Sequence, residues 1–141
     1  MKSALLPIAL ALITSCAPAA PDIAVSDVWA RATAPGQSGG AVYATIVNRG
    51  GADRLVEVTS EAATAMLHRS DNAGGVARMR MLAALDIPAG SDIVLAPGGT
   101  HVMLTGLAAP LVAGSTFPLT FRFAAAGPRI VTVAVVAAGA R

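Results

Sequence analysis

The chain has 141 residues, of which 55% are hydrophobic and 13% are charged. This composition fits a single folded domain and argues against a disordered or fibrous protein. Lys2 and nine arginines stand against eight acidic residues, and no cluster of basic residues is apparent. A nucleic-acid partner is therefore not expected, because a phosphate backbone requires a concentrated basic surface. The single cysteine excludes a disulfide framework, a thiolate zinc site and an iron–sulfur cluster.

The first fifteen residues have the pattern of an export signal. Met1 and Lys2 form a short positive start, and an apolar run follows at residues 4–13. As a helix this run would rise only about 15 Å, half the thickness of a bilayer core, so it is too short to span a membrane. We interpret residues 1–15 as a cleaved signal peptide and residues 16–22 as a short tether.

The lone cysteine follows this segment directly. Residues 13–16 (ITSC) resemble the lipobox of bacterial lipoproteins, in which the cysteine becomes the first mature residue and carries lipid. The resemblance implies lipidation of Cys16 and attachment to a membrane through more than one acyl chain. In the alternative interpretation Cys16 is incidental, and cleavage follows Ala19, because Ala17 and Ala19 form a small-x-small site. Both routes predict an exported protein, and the first predicts one attached to the membrane in the periplasm.

From residue 23 onward the sequence predicts short strands separated by turns. Runs rich in β-branched and aromatic residues occur at 41–47, 55–59, 93–95, 117–123 and 130–136, with glycine, proline and asparagine turns between them. Seven or more such strands predict an all-β fold, an antiparallel β-sandwich, as one domain over residues 23–141. Segment 61–66 is ambiguous, because its alanines also permit one helical turn.

All histidines and internal methionines lie between residues 66 and 103. They form the pairs Met66/His68, Met79/Met81 and His101/Met103. Since residues i and i+2 share a face of a strand, each predicted strand presents a matched pair on one face. The polar turn at 70–75 would fold the first pair back against the second as a hairpin. The three pairs are therefore expected to converge near one end of the sandwich.

Thioethers and imidazoles are neutral ligands that suit a soft metal ion, and Cu(I) fits best. A blue-copper electron-transfer site needs a cysteine beside two histidines, and Cys16 lies at the processed end of the chain. Methionines on strands also commonly fill cores, and lone histidines are commonly structural. We favour the structural interpretation for Met66 and Met81. For the other four residues, the residues alone leave both interpretations open.

The spacing His68-x10-Met79-x21-His101-x-Met103 resembles the signature of the periplasmic copper chaperones of the PCuAC family. The resemblance extends through residues 29–36 (WARATAPG), 40–43 (GAVY) and 97–104 (PGGTHVML), and it covers residues 23–136. It implies a cupredoxin-like Greek-key β-sandwich that binds Cu(I) through these two histidines and two methionines. Met66 and Met81 could serve as auxiliary ligands from the same strand faces. The chain departs from some family members at Arg69, where they place a methionine directly after the first histidine.

The resemblance implies an extracytoplasmic metallochaperone that delivers copper to a client, such as the CuA site of cytochrome c oxidase, or to another copper chaperone. Delivery to anionic thiolates is favoured in direction, because thiolates bind Cu(I) more strongly than thioethers do. The alternatives are a copper-storage protein and a structural or interaction lipoprotein whose methionines and histidines are merely packed. An enzyme is not expected, because no Ser/His/acid or paired-carboxylate constellation occurs.

Two further pairs of residues have a structural and a functional interpretation. Trp29 and Tyr43 are interpreted as anchors of the sandwich rather than as a pair that shields copper or docks a partner. Arg78 and Arg80 alternate with the methionines of their strand and therefore place charge on its other face. They are interpreted as a solvated face, with contact to an acidic partner as the alternative.

Overall fold

The computed structural model describes residues 16–141, and the only helical element in this range is a single 3-10 turn at Ala73–Gly75. The ten strands are β1 (Ile23–Arg31), β2 (Gly40–Asn48), β3 (Asp53–Thr59), β4 (Thr64–Asp71), β5 (Arg78–Met81), β6 (Leu85–Ile87), β7 (Asp92–Leu95), β8 (Thr100–Thr105), β9 (Thr116–Phe123) and β10 (Gly127–Val136). The prediction of an all-β domain is confirmed, and each predicted run lies within a strand. The predicted signal peptide, residues 1–15, lies outside the described residues.

The strands form one curled sheet around a single core. Their hydrogen-bonded order is β5-β4-β8-β2-β1-β10-β9-β3-β6, and β7 pairs with β2 beside β8. The curl brings β3, near one end of this order, into contact with β4, near the other end. All pairings are antiparallel except that of β1 with β10, which is parallel. The predicted antiparallel arrangement thus holds with one exception.

The core explains why these segments are strands. Alternate residues of the long strands point inward and are buried, among them Val42, Ile46, Leu55, Phe121 and Phe123. Full burial of each such side chain stabilises the fold by about 1.5–3 kcal/mol. The outward-facing residues are mostly polar, small or partly exposed. The two-residue period of the sequence is therefore the period of burial.

The optional helical turn at residues 61–66 is wrong. Residues 61–63 form a bend, and β4 begins at Thr64. Ala65 and Leu67 of β4 lie opposite Leu104 and Val102 of β8, and Leu67 is buried. This cross-strand pairing and burial override the helical preference of alanine.

The N-terminal segment before β1 is docked on the turn between β2 and β3. The backbone N–H of Gly51 donates to the carbonyl oxygen of Ala20 (2.9 Å), and that of Arg49 donates to the carbonyl oxygen of Asp22 (2.9 Å). A Cβ atom at Gly51 would overlap the carbonyl oxygen of Ala19, so only glycine permits this close approach. Residues 19–22 are therefore fixed to the domain rather than forming a loose tether.

Asp53, at the start of β3, fastens the turn between β9 and β10. Its carboxylate accepts hydrogen bonds from the backbone N–H groups of Ala125 and Ala126 (both 2.9 Å) and of Arg54 (2.7 Å). Burial opposes ionisation of Asp53, but these hydrogen bonds and the nearby charge of Arg129 outweigh it. The pKa of Asp53 consequently lies below its usual value of 3.8.

Candidate metal centre

Strand β4 lies between β5 and β8, and the register of these three strands gathers all six predicted residues. The directly opposite pairs are His68 with His101, His68 with Met81, Met66 with Met103, and Ser70 with Met79. Directly opposite residues project from the same face of a sheet. Leu67 and Val102, which alternate with these residues, are buried in the core. The histidines and methionines therefore share the face that points away from the core.

The two histidines each have a ring nitrogen available to a metal ion. Their ring centroids are 6.1 Å apart. His101 is 5% exposed, and its Nδ1–H donates to the carbonyl oxygen of Gly99 (3.1 Å). Because a carbonyl can only accept, the neutral imidazole carries its proton on Nδ1 and its lone pair on Nε2. The Nδ1 atom of His68 is buried and has no hydrogen-bond partner in residues 16–141. Such an unpaired atom is costly, and a metal–nitrogen bond would satisfy it.

The methionines Met79 and Met103 line the same open pocket as His101. This pocket has a volume of about 750 Å³, and Tyr43 and Ser70 also contribute to its wall. Met79 is 54% exposed, whereas Met103 is partly buried beneath the loop that precedes β2. The pocket thus offers one thioether to solvent and one that is covered. Both line the pocket to which the imidazole of His101 also contributes.

The other two methionines lie in a different depression. Met66 and Met81 line a groove of about 480 Å³ between β3 and the β4–β5 hairpin. Met81 is 65% exposed, although it lies directly opposite His68. The six predicted residues therefore share a face, but Met79, His101 and Met103 line one depression, Met66 and Met81 line the other, and His68 lines neither. In the described part of the chain no group of three or more His, Cys, Asp or Glu side chains could hold a metal ion, so a metal on this face would depend on thioethers.

An aromatic pair borders the pocket. The ring centroid of Tyr43 is 6.3 Å from that of His101 and 4.6 Å from that of Trp29. Both aromatic side chains are buried, as their interpretation as sandwich anchors requires. The guanidinium of Arg31 lies 5.8 Å from the centroid of Trp29 and 6.0 Å from that of Tyr43. Tyr43 is thus both an anchor and a wall of the pocket.

Other residues that line the pocket were not predicted to belong to the site. Arg31, Gln37 and Ser38 are among them. The Gln37 side chain donates to the carbonyl oxygen of Gly39 (2.9 Å) and accepts from the N–H of Ala34 (3.2 Å). These hydrogen bonds within the loop stabilise its conformation. A loop without periodicity gives no signal of what it covers. Tyr43 shares a face of β2 with Ala41, and the structure, not the sequence, places Ala41 opposite Met103.

The family of the chain follows from comparison with known proteins. The family model described as "Putative lipoprotein LpqE-like" matches residues 23–135. The chain belongs to the LpqE-like family. It is also 39% identical over 104 residues to "Putative lipoprotein Lxx21020" of Leifsonia xyli subsp. xyli, a match that covers 72% of this chain. The chain spans 61% of the length of that curated relative.

Solved structures with a similar fold include a copper-bound and a Cu(I)-bound protein. The chain is similar to the copper-bound PCuAC domain from PmoF2, with a TM-score of 0.70 and 28% identity over 82% of this chain and 92% of that domain. Similarity to the apo PCuAC domain from PmoF1 has a TM-score of 0.69 and 30% identity, covering 82% of this chain and 93% of that one. For the Cu(I) form of DR1885 from Deinococcus radiodurans the TM-score is 0.62, with 31% identity over 79% and 78% of the two chains. The predicted resemblance to PCuAC copper chaperones and the predicted cupredoxin-like fold are confirmed.

Proposed function

We propose that this protein is an extracytoplasmic Cu(I) carrier that holds the ion with His68, Met79, His101 and Met103. The main support is the pair of histidines on neighbouring strands, each with an unused ring nitrogen. Two neutral imidazoles and two thioethers form a donor set that suits soft, monovalent copper. The similar solved structures named above include a copper-bound and a Cu(I)-bound protein. No enzymatic role is proposed.

The proposed role is delivery rather than storage. Met79 is 54% exposed and lies on the terminal strand β5, so an acceptor can reach it without unfolding the domain. A client that offers thiolates would draw Cu(I) from the thioethers by stepwise ligand exchange. The client is the CuA site of cytochrome c oxidase or a second copper chaperone. A storage site, in contrast, would be enclosed.

The protein is proposed to be exported to the periplasm and anchored through a lipid on Cys16. The lipoprotein descriptions of its family and relative support this location. Cys16 is exposed, and the docked segment begins at Ala19. The connection between lipid and domain is then about three residues, or at most about 10 Å of extended chain. Among the described residues no helix is long and apolar enough to cross a membrane.

The ligand assignment is tested by competition for Cu(I) between a chromogenic chelator and the mature chain that starts at Ala17. Met79→Leu and Met103→Leu remove one thioether each and keep the side-chain volume nearly constant. We expect each to weaken Cu(I) binding at least tenfold, about 1.4 kcal/mol. The matched controls are Met81→Leu and Met66→Leu, which remove thioethers from the second groove and should change the affinity less than threefold.

Unchanged competition by the double variant M79L/M103L would reject the ligand set and favour the structural lipoprotein. Equal weakening by M66L or M81L would instead place copper in the groove between β3 and the β4–β5 hairpin. Circular dichroism of each variant verifies that the fold is retained, so that a loss of affinity reports on ligands and not on unfolding.

A further inference from the structure

The β4–β5 hairpin brings three arginines together. Arg69 on β4 lies directly opposite Arg80 on β5, and Arg78 lies opposite Asp71 two pairs further along the hairpin. All three arginine side chains are exposed. The sequence does not reveal this cluster, because Arg69 is separated from the other two by the turn of the hairpin.

Within residues 16–141, these arginines form no ion pair with a carboxylate. Four other arginines form ion pairs: Arg49 with Asp92, Arg54 with Asp86, Arg122 with Glu57, and Arg141 with Asp27. Arg69 instead donates to the hydroxyl of Thr100 (3.2 Å). Within residues 16–141, Arg78 and Arg80 form no side-chain hydrogen bond or ion pair, even with Asp71. Residues 1–15 contain no acidic side chain.

This arrangement disfavours the hairpin itself. Like charges directly opposite each other on paired strands destabilise the pair, so Arg69 and Arg80 oppose the folding of the segment that carries them. None of the three arginines forms an ion pair within residues 16–141, which leaves their charge available to a partner. The cluster is therefore a candidate for an interaction surface.

The arginines lie beside the proposed copper site. Strand β5 is the terminal strand of the sheet and pairs only with β4, so its outer edge is open in the described part of the chain. Met79 and Met81 are 54% and 65% exposed, and they alternate along β5 with Arg78 and Arg80. A molecule that approaches this edge meets thioethers on one side of the strand and guanidinium groups on the other.

We propose that the β5 edge, defined as Arg69 together with Arg78–Met81, is the docking surface for an acidic protein that accepts the copper. This inference rests on the proposed copper-carrier function. Arginine binds carboxylates through paired, charge-assisted hydrogen bonds, and complementary charge accelerates encounter. A protein is favoured over an anionic membrane because the acceptor must bring ligand atoms to Met79, and thiolates and imidazoles are supplied by proteins.

The test measures the rate of Cu(I) transfer from the loaded mature chain to two synthetic peptides. Both contain the same Cys-x-x-x-Cys motif, flanked by Asp and Glu in one peptide and by Asn and Gln in the other. At low salt we expect transfer to the acidic peptide to be about tenfold faster, and added salt should reduce the difference. In the double variant R69Q/R80Q, the preference for the acidic peptide should fall to about twofold. The control R49Q/R54Q removes the same net charge elsewhere and should retain the tenfold preference for the acidic peptide.

The proposed docking surface would be overturned by equal transfer rates to the two peptides. It would also be overturned if R49Q/R54Q lost the preference for the acidic peptide as much as R69Q/R80Q does. The apo chain could instead bind vesicles with one-quarter anionic lipid more strongly than it binds the acidic peptide. If R69Q/R80Q abolished that vesicle binding, the protein-docking proposal would be overturned in favour of a membrane surface. Fluorescence anisotropy of both labelled peptides with the apo chain tests docking without copper. Chelator competition tests the carrier function separately, because R69Q/R80Q should leave the Cu(I) affinity unchanged.

Discussion

Replacing Asn48 with alanine tests how strongly one buried side-chain amide stabilises the domain. Asn48 is completely buried, and its side-chain amide joins three segments of the chain. Its Oδ1 atom accepts hydrogen bonds from the backbone N–H groups of Asp22 (3.3 Å) and Gly50 (3.0 Å). Its Nδ2 atom donates to the carbonyl oxygens of Gly51 (2.8 Å) and Pro88 (3.1 Å). The variant N48A loses all four bonds.

The expected loss follows from these contacts. Four hydrogen bonds at about 1 kcal/mol each, one of them long, correspond to about 3–4 kcal/mol of unfolding free energy. A domain of about 120 residues unfolds with an entropy of about 0.25 kcal/mol/K near 60 °C, so the Tm of N48A should fall by about 12–16 °C. Thermal and guanidinium denaturation of the mature chain, followed by circular dichroism, measures both quantities.

The variant N48D sharpens this test. Aspartate can keep the two accepted bonds, but it cannot donate, and it turns a negative charge toward the carbonyl oxygens of Gly51 and Pro88. It should therefore destabilise at least as much as N48A. A loss below about 1 kcal/mol in N48A would refute the reasoning. The Cu(I) affinity should change less than twofold, because Ala41, opposite Met103, is seven residues or about 23 Å along β2 from Asn48.

Three further substitutions test other parts of the structure. Gly51→Ala should displace the N-terminal segment, because the new Cβ would overlap the carbonyl oxygen of Ala19. The displacement should be measurable as faster proteolysis before β1, and an unchanged cleavage rate would contradict the docking. The lowered pKa of Asp53 means that its carboxylate stabilises the fold above about pH 4 and that this contribution is lost as pH falls through the folded-state pKa. In Asp53→Asn, the urea midpoint should therefore be lower at pH 7 and less steeply pH-dependent below pH 4. Cys16→Ser should move the protein from the membrane fraction to the soluble fraction, and lipid retained in its mass spectrum would exclude Cys16 as the anchor.

Much of the fold was predictable because residues alternate between buried and exposed along a strand with the same two-residue period that the sequence pattern shows. The runs that became β2, β3, β7, β9 and β10 alternate inward and outward residues, and the structure confirms them. The parallel pairing of β1 with β10 had no such signal, because it joins residues that are about one hundred positions apart. Segment 61–66 was ambiguous for a related reason. Its strand conformation comes from pairing with β8, which local propensity does not encode.

The candidate site was predictable only in part. Two-residue spacing indicated that each pair shares a face, but the register that puts His68 opposite His101 depends on which strands are neighbours. The division between two depressions also required three dimensions, since Met79 and Met81 have the same parity and line different ones. The arginine cluster was missed for the same reason, because Arg69 and Arg80 meet only across the hairpin.

The proposed ligands differ in how firmly the fold holds them, and this difference suggests the order in which they would release copper. His101 is 5% exposed and is oriented by its hydrogen bond to the Gly99 carbonyl, so it has little freedom to leave the ion. Met79 is 54% exposed on a terminal strand, and its flexible side chain can move aside at low cost. An incoming thiolate should therefore replace Met79 first and the histidines last. That order places the acceptor at the β5 edge, beside the unpaired arginines, before the copper has left the protein.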